Sequence, residues 1–192
     1  MDMDRYFDGI LAAMAGMIVF ASIVSLVLYF IAAFARYKYL RIRSYENAWM
    51  AFVPIVNIWA IVEATYGKTE RINIYGWDAP AVVLKLWPIV TYVLAIAINV
   101  IPVIGNILSL LLSILNIAVF VMIFKDMMDN LEKPQDTVIA VIAVIFHIIS
   151  DIMLLSASSG FEPGQQNWQT DNRYLGSQTV MDGPLSFMNK IK

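Results

Sequence analysis

The longest apolar stretch of the chain covers residues 79–124 and contains a single charged side chain, Lys85. It is about twice the length of the ~20 apolar residues that cross a bilayer as one helix. Pro102 and Gly105 lie near its middle, and a proline inside a helix removes a backbone hydrogen bond and clashes with the preceding turn. The stretch therefore predicts two membrane helices that fold back on each other at residues 101–106.

The composition agrees with lipid as the solvent for much of the surface. Hydrophobic residues make up 60% of the chain, and the mean hydropathy is +0.70. The absence of cysteine excludes disulfides, thiol catalysis and Cys-ligated metals, and His147, the single histidine, excludes a multi-histidine metal site within one chain. The net charge of −2 provides no broad basic surface. We expect no cofactor, no metal and no nucleic-acid partner.

Three further apolar segments are present. Residues 9–35 are uncharged and long enough for a first membrane helix, in which Ala12 and Gly16 form a small-xxx-small pair that permits close approach of another helix. Residues 138–155 predict a last membrane helix. Residues 48–65 are shorter and contain Pro54, which leaves two alternatives open: a kinked spanning helix or a re-entrant segment.

Basic loop residues favour one of these alternatives. If residues 48–65 span, the eight basic loop residues divide equally between the two faces; if they re-enter, all eight lie on the cytoplasmic face, as the positive-inside rule prefers. These residues are Arg36, Lys38, Arg41, Arg43, Lys68, Arg71, Lys125 and Lys133. The predicted fold is an all-α bundle of four transmembrane helices plus one short Pro-containing segment, with the N-terminus and the tail external.

The chain divides into three regions. Residues 1–8 form a short acidic N-terminus, residues 9–155 the helical membrane domain, and residues 156–192 a tail rich in Gly, Gln, Asn, Ser and Pro. The tail has too few apolar residues to bury a core of its own, so we expect it to be flexible or to become ordered on a partner.

A short pattern of proline, two β-branched residues and asparagine occurs twice. The first copy runs from Pro54 to Asn57, and the second runs from Pro102 to Asn106 with Gly105 inserted. Proline frees a backbone carbonyl one turn earlier, and a nearby asparagine amide can cap that carbonyl inside a membrane. The pair indicates either ordinary helix breaks or the broken helices of a transporter binding site.

Trp49 followed by Ala51-Phe52-Val53-Pro54-Ile55-Val56-Asn57 resembles the W-x-A-F-I-P-I-x-N signature of a family of small bacterial multi-pass membrane proteins with no assigned function. The resemblance extends over residues 48–155. It implies a protein of the bacterial cytoplasmic membrane, and it carries over no catalytic residues.

Ionisable residues inside apolar segments are the first candidates for chemistry. His147 and Asp151 are four residues apart and therefore share a helix face, where they form either a proton or cation relay or a structural polar pair. Glu63 and Lys85 lie at segment ends that both topologies bring to the same membrane face. We expect a structural ion pair there, or Lys85 extending to the headgroups.

Gly105, Ser109 and Ser113 recur every four residues and form a stripe of small side chains. Such a stripe serves either close helix packing or the lining of a pore.

The sequence contains no catalytic set, since no Gly-rich phosphate loop, HExxH or GxSxG motif occurs. We therefore expect a non-enzymatic multi-pass membrane protein that is a subunit of a larger membrane complex. The alternative is a small transporter or channel with a proton or cation path near His147 and Asp151.

Overall fold

The computed structural model describes residues 3–67, 69–99 and 104–166. Within these ranges the chain is mostly helical. Its helices are α1 (Met3–Ile42), α2 (Val56–Tyr66), α3 (Ala81–Lys85), α4 (Trp87–Asn99), α5 (Ile104–Asn130), α6 (Thr137–Ile145) and α7 (His147–Ala157), with 3-10 helices at Ala48–Phe52 and Ser158–Gly160 and strands β1 (Arg71–Ile74) and β2 (Trp77–Pro80).

Helix α1 continues beyond the predicted apolar segment and includes the first basic residues. The helix ends at Ile42; two residues later Ser44 has a left-handed φ of 59°, and the N–H of Tyr45 donates to the carbonyl of Leu40 at 2.9 Å. This bond closes a Schellman-type helix end. The basic residues therefore extend the first helix instead of forming a separate loop.

The Pro-containing segment is broken into two short helices. Between the 3-10 helix and α2, Ile55 has a φ of 71° and a ψ of −54°, and the N–H of Val56 donates to the carbonyl of Pro54 at 2.8 Å. These values define a γ-turn with positive φ, which is rare and strained. Because α2 is only 11 residues long, it covers about 16 Å, roughly half of the hydrocarbon core.

Residues 71–80 form a β-hairpin, which the expected all-α bundle does not include. Strands β1 and β2 are antiparallel, with Ile74 opposite Trp77. Tyr75 and Gly76 both have positive φ, as a type I′ turn requires, and the N–H of Gly76 donates to Oδ1 of Asn73. The hairpin touches α5, where the hydroxyl of Tyr75 donates to the carbonyl of Ala118.

The last apolar segment is not one continuous helix. Helices α6 and α7 meet at Phe146 with a bend of 119°. After α7 the chain returns to the end of α1. There the backbone N–H of Gly164 donates to the carbonyl of Arg41 at 2.8 Å, and the backbone N–H of Gln166 donates to the carbonyl of Ile42 at 2.9 Å. The start of the tail and the end of α1 thus lie at one end of the molecule. The sequence-based topology places these two on opposite sides of the membrane, so this contact bears on the side to which the tail is assigned.

Two helices are long and apolar enough to cross a membrane, α1 from Phe7 and α5 from Gly105. A third span is present if α6 and α7 count together as one. Helix α4, the first arm of the predicted central hairpin, packs on α5 but has only 13 residues. The four spans expected from the sequence are therefore not confirmed within the described part of the chain.

The core lies at the C-terminal ends of α1 and α5, where α2, α3, α6 and α7 pack around them. Asn130 of α5 donates its side-chain amide to the Tyr39 hydroxyl at 3.0 Å and to the Thr65 carbonyl at 3.2 Å. Arg43 donates Nε to the carbonyl of Ala64 at 2.9 Å. This buried polar junction joins α1, α2 and α5, while the N-terminal halves of α1 and α5 project from it with exposed apolar side chains.

Candidate functional site

A cavity of about 520 Å³ lies between α1, α2, α5, α6 and α7. Its volume is within the range of small-molecule sites, roughly 300–1,000 Å³. It gathers several residues that the sequence singles out, namely Pro54, Asn57, His147 and Asp151. The cavity is therefore the place where the broken helix and the ionisable pair of the last apolar segment meet.

Helix α7 supplies two of the ionisable residues of the cavity, His147 and Asp151. The bend at Phe146 starts α7 at His147, and Asp151 follows one turn later on the same face. Oδ1 of Asp151 lies 3.7 Å from NH2 of Arg36 on α1, and the two side chains are 9% and 26% exposed. A buried carboxylate requires a countercharge, and Arg36 provides it.

Asn57 is 5% exposed and borders the cavity at the start of α2. The side-chain cap predicted from the motif is not formed. Instead, the backbone N–H of Asn57 donates to the carbonyl of Val53 at 3.0 Å across the γ-turn. Within residues 3–67, 69–99 and 104–166, the amide group of its side chain has no hydrogen-bond partner. This buried amide can therefore bond a molecule in the cavity.

The described residues of the second copy of the motif do not line the cavity. Pro102 lies outside the described residues, while Gly105 and Asn106 are in the first turn of α5. The Ser113 hydroxyl donates to the carbonyl of Ser109 at 2.8 Å, so the small-residue stripe forms a hydrogen bond within its own helix. None of these α5 residues lines the cavity.

Glu63 and Lys85 also lie outside the cavity, and Nζ of Lys85 is 3.2 Å from Oε1 of Glu63. The other carboxylate oxygen accepts from the Tyr45 hydroxyl at 2.7 Å and from Nε1 of Trp59 at 3.3 Å. Burial acts to raise the pKa of Glu63, but the hydrogen bonds from Tyr45 and Lys85 outweigh it, and the pKa is lowered. Burial and the neighbouring carboxylate raise the pKa of Tyr45, so it donates as a neutral phenol.

This lowered pKa predicts an acid-sensitive contact. The ionised Glu63 stabilises the fold above its ordinary pKa of 4.5, and this contribution is lost as the pH falls through that value toward the folded-state pKa. We expect the difference in unfolding temperature between the wild type and Glu63→Gln to be larger at about pH 7 than at about pH 3. Glu70→Gln, which removes a carboxylate at an exposed position, is the matched control. An equal difference at both pH values would contradict the prediction.

Sequence reasoning missed the contribution of α1 to the cavity, because it interprets Arg36 as a topology signal or, alternatively, as part of an anionic-lipid site. A signal for it exists. Ser25, Tyr29, Ala32 and Arg36 all line the cavity and follow the spacing of one helix face, at steps of four, three and four residues. A polar stripe that ends in the first basic residue after an apolar segment indicates a helix face turned toward other protein elements.

The fold and the cavity together define the class of the molecule: a helical protein with two, or up to three, helices that can cross a membrane. Among the described residues, no group of three or more His, Cys, Asp or Glu side chains could hold a metal ion. No family model matches the chain, and no curated protein and no solved structure matches it either.

Proposed function

We propose that this chain is a non-catalytic subunit of a larger complex in the bacterial cytoplasmic membrane, and that α1 binds the partner. The observation that carries the proposal is the exposure of α1. Its most apolar 18-residue window is only 6% buried, and large side chains from Phe7 to Phe30 are exposed. In the described part of the chain, every residue of α1 from 7 to 28 is exposed.

The small residues of α1 support a helical partner rather than lipid alone. A Cβ atom added at Gly9 or at Gly16 would meet nothing within 4 Å, so no fold contact within the described residues requires these glycines. Together with Ala12 they form a surface on which a second helix can approach closely and form van der Waals contacts. Flexible lipid chains form fewer van der Waals contacts with such a surface than a second helix does.

Replacing Gly16 with leucine is expected to weaken the partner interface while the fold is unaffected. The protein should be purified with a tag from its native host in mild detergent, and the masses of bound chains determined. We expect stoichiometric foreign chains with the wild type and an about tenfold reduction with Gly16→Leu, because the larger side chain prevents the close approach of the two helices at this site.

Ala21→Leu is the matched control, since Ala21 is also small and exposed but lies about 140° around the helix from Gly16. It should retain the partner. A wild-type protein that purifies as a monomer or a homo-oligomer would overturn the proposal.

We also propose a topology in which residues 48–65 re-enter the membrane and the tail begins on the cytoplasmic face. The hydrogen bonds between residues 164–166 and the end of α1 support it, because the basic residues at that end favour the cytoplasm.

The chain has no cysteine, so single cysteines can be introduced at Asp8, Lys133 and Glu162, all exposed. A membrane-impermeant maleimide should label Asp8→Cys in intact cells, and the other two only after lysis. Labelling of Glu162→Cys from outside would refute this topology.

A small transporter or channel is the second candidate. His147 and Asp151 both line the 520 Å³ cavity, which favours a path for protons or cations there. Flux into liposomes, compared between the wild type and Asp151→Asn, separates the two candidates. A flux that the substitution abolishes would support transport.

A further inference from the structure

Four polar side chains of the cavity have unused bonding capacity. Among the described residues, no side-chain hydrogen bond is formed by Arg36, Asn57, His147 or Asp151. The 3.7 Å between Arg36 and Asp151 exceeds the roughly 2.7–2.9 Å of a charge-assisted hydrogen bond. Asn57 and Asp151 are 5% and 6% exposed, and buried polar groups are ordinarily satisfied, so two such side chains at one cavity indicate a ligand that completes their bonds.

The charges of the cavity indicate what kind of headgroup fits. Arg36 presents a cation with several N–H donors, and Asp151 presents a carboxylate that only accepts. His147 lies one turn before Asp151 on the same face and can donate from its imidazole. A ligand with one anionic and one cationic group satisfies both partners, whereas a purely anionic ligand would leave Asp151 opposed to a like charge.

The apolar walls indicate that the ligand carries hydrocarbon. Leu28, Ile58, Phe124 and Ile148 line the cavity, and Leu28 is also among the exposed side chains of α1. The cavity wall is thus continuous with the lipid-facing surface of that helix. A ligand can enter sideways from the bilayer and leave its chains against this wall.

We propose that the cavity binds a zwitterionic phospholipid with a primary amine, of the phosphatidylethanolamine type. The phosphate accepts hydrogen bonds from Arg36 and His147, the ammonium group donates to Asp151, and the Asn57 amide bonds an ester or phosphate oxygen. The strained γ-turn at Ile55 forms part of the wall beside Asn57, as strained backbone often does at binding sites. This site does not depend on the partner interface, because Ser25 in the cavity and Gly16 lie about 180° apart on α1.

The test is a competition between lipids with identical acyl chains and different headgroups. Purified full-length protein in detergent is mixed with equal amounts of phosphatidylethanolamine, phosphatidylcholine and phosphatidylglycerol, and the retained lipid is measured by native mass spectrometry. We expect an about tenfold preference for phosphatidylethanolamine, since of the three headgroups only its ammonium group combines a positive charge with N–H donors that can bond a carboxylate. Equal retention of the three lipids, or a preference for phosphatidylglycerol, would overturn the proposal.

Two variants distinguish a headgroup site from general lipid adhesion. The exchange Arg36→Asp with Asp151→Arg keeps an opposite-charge pair but reverses its order, so it should abolish the preference while the unfolding temperature stays close to that of the wild type. Ser25→Phe fills the cavity without changing a charge and should have the same effect on binding. Ala21→Phe, outside the cavity, should leave the preference intact, and a loss of preference there would contradict the assignment.

A soluble headgroup is tested separately. O-phosphoethanolamine, which lacks acyl chains, is added to the protein loaded with phosphatidylethanolamine. We expect no displacement at equal concentration, because the apolar wall binds the chains. Displacement would show that the cavity recognises a soluble zwitterion, and would overturn the assignment of a lipid.

Discussion

Replacing Arg43 with alanine is expected to lower the free energy of unfolding by about 3–5 kcal/mol. Arg43 is 1% exposed, and its guanidinium donates to the carbonyl of Ala64 at 2.9 Å and to Oε1 of Gln166 at 3.3 Å. Its removal leaves buried acceptors without donors and opens a void between α1 and α2. Denaturant titration in a fixed detergent, with helical ellipticity as the signal, measures the change.

Arg41→Ala is the control for this prediction. Arg41 lies two residues earlier, in the last turn of α1; it is exposed, and its Cζ lies 6.0 Å from the ring centroid of Tyr37. Its replacement should cost less than about 1 kcal/mol, as is usual for exposed charged groups. Equal effects of the two substitutions would show that Arg43 is not structural. Arg43 bonds Gln166, and Gln166 in turn donates to the carbonyl of Asn130, so the loss of Arg43 should loosen the chain after α7. Limited proteolysis after α7 should therefore increase in Arg43→Ala and not in Arg41→Ala.

The second large effect is expected for Leu40→Ala, which should cost about 2–5 kcal/mol. Leu40 is 0% exposed and belongs to the core at the end of α1, so its truncation leaves a cavity. Leu26→Ala on the same helix is the control. Leu26 is 56% exposed, and its side chain faces lipid or detergent in both the folded and the unfolded membrane states.

Truncation of Leu26 should therefore leave the unfolding midpoint nearly unchanged. If Leu26→Ala is as destabilising as Leu40→Ala, the exposed half of α1 packs against something within the purified particle, most simply a second copy of the chain. The measurement thus also tests whether α1 is free in the isolated protein.

The positions of the apolar segments could be predicted because hydropathy is a local property. Residues 9–35 lie within α1, and the break at Pro54 was expected because proline ends a helix wherever it stands. The hairpin β1–β2 was missed since each strand has only four residues, and Ile72 and Ile74 are a weak signal between polar neighbours.

The candidate site was predicted in part. His147 and Asp151 share a face of α7, and helical spacing alone determines this. Arg36 could not be assigned to them, because the ion pair joins residues 115 positions apart. Only the packing of α7 on α1 brings the guanidinium to the carboxylate.

The sequence by itself determined which segments are apolar enough to lie in a membrane, where prolines interrupt them, and which ionisable residues stand inside them. The tertiary structure decided that the last segment bends by 119° at Phe146 and returns the chain to Ile42. It also decided that Asn57 and Asp151 border one cavity. The physical reason is that hydropathy and helix periodicity depend on residues close in sequence, whereas a bend and a cavity depend on how separate helices bury one another's side chains.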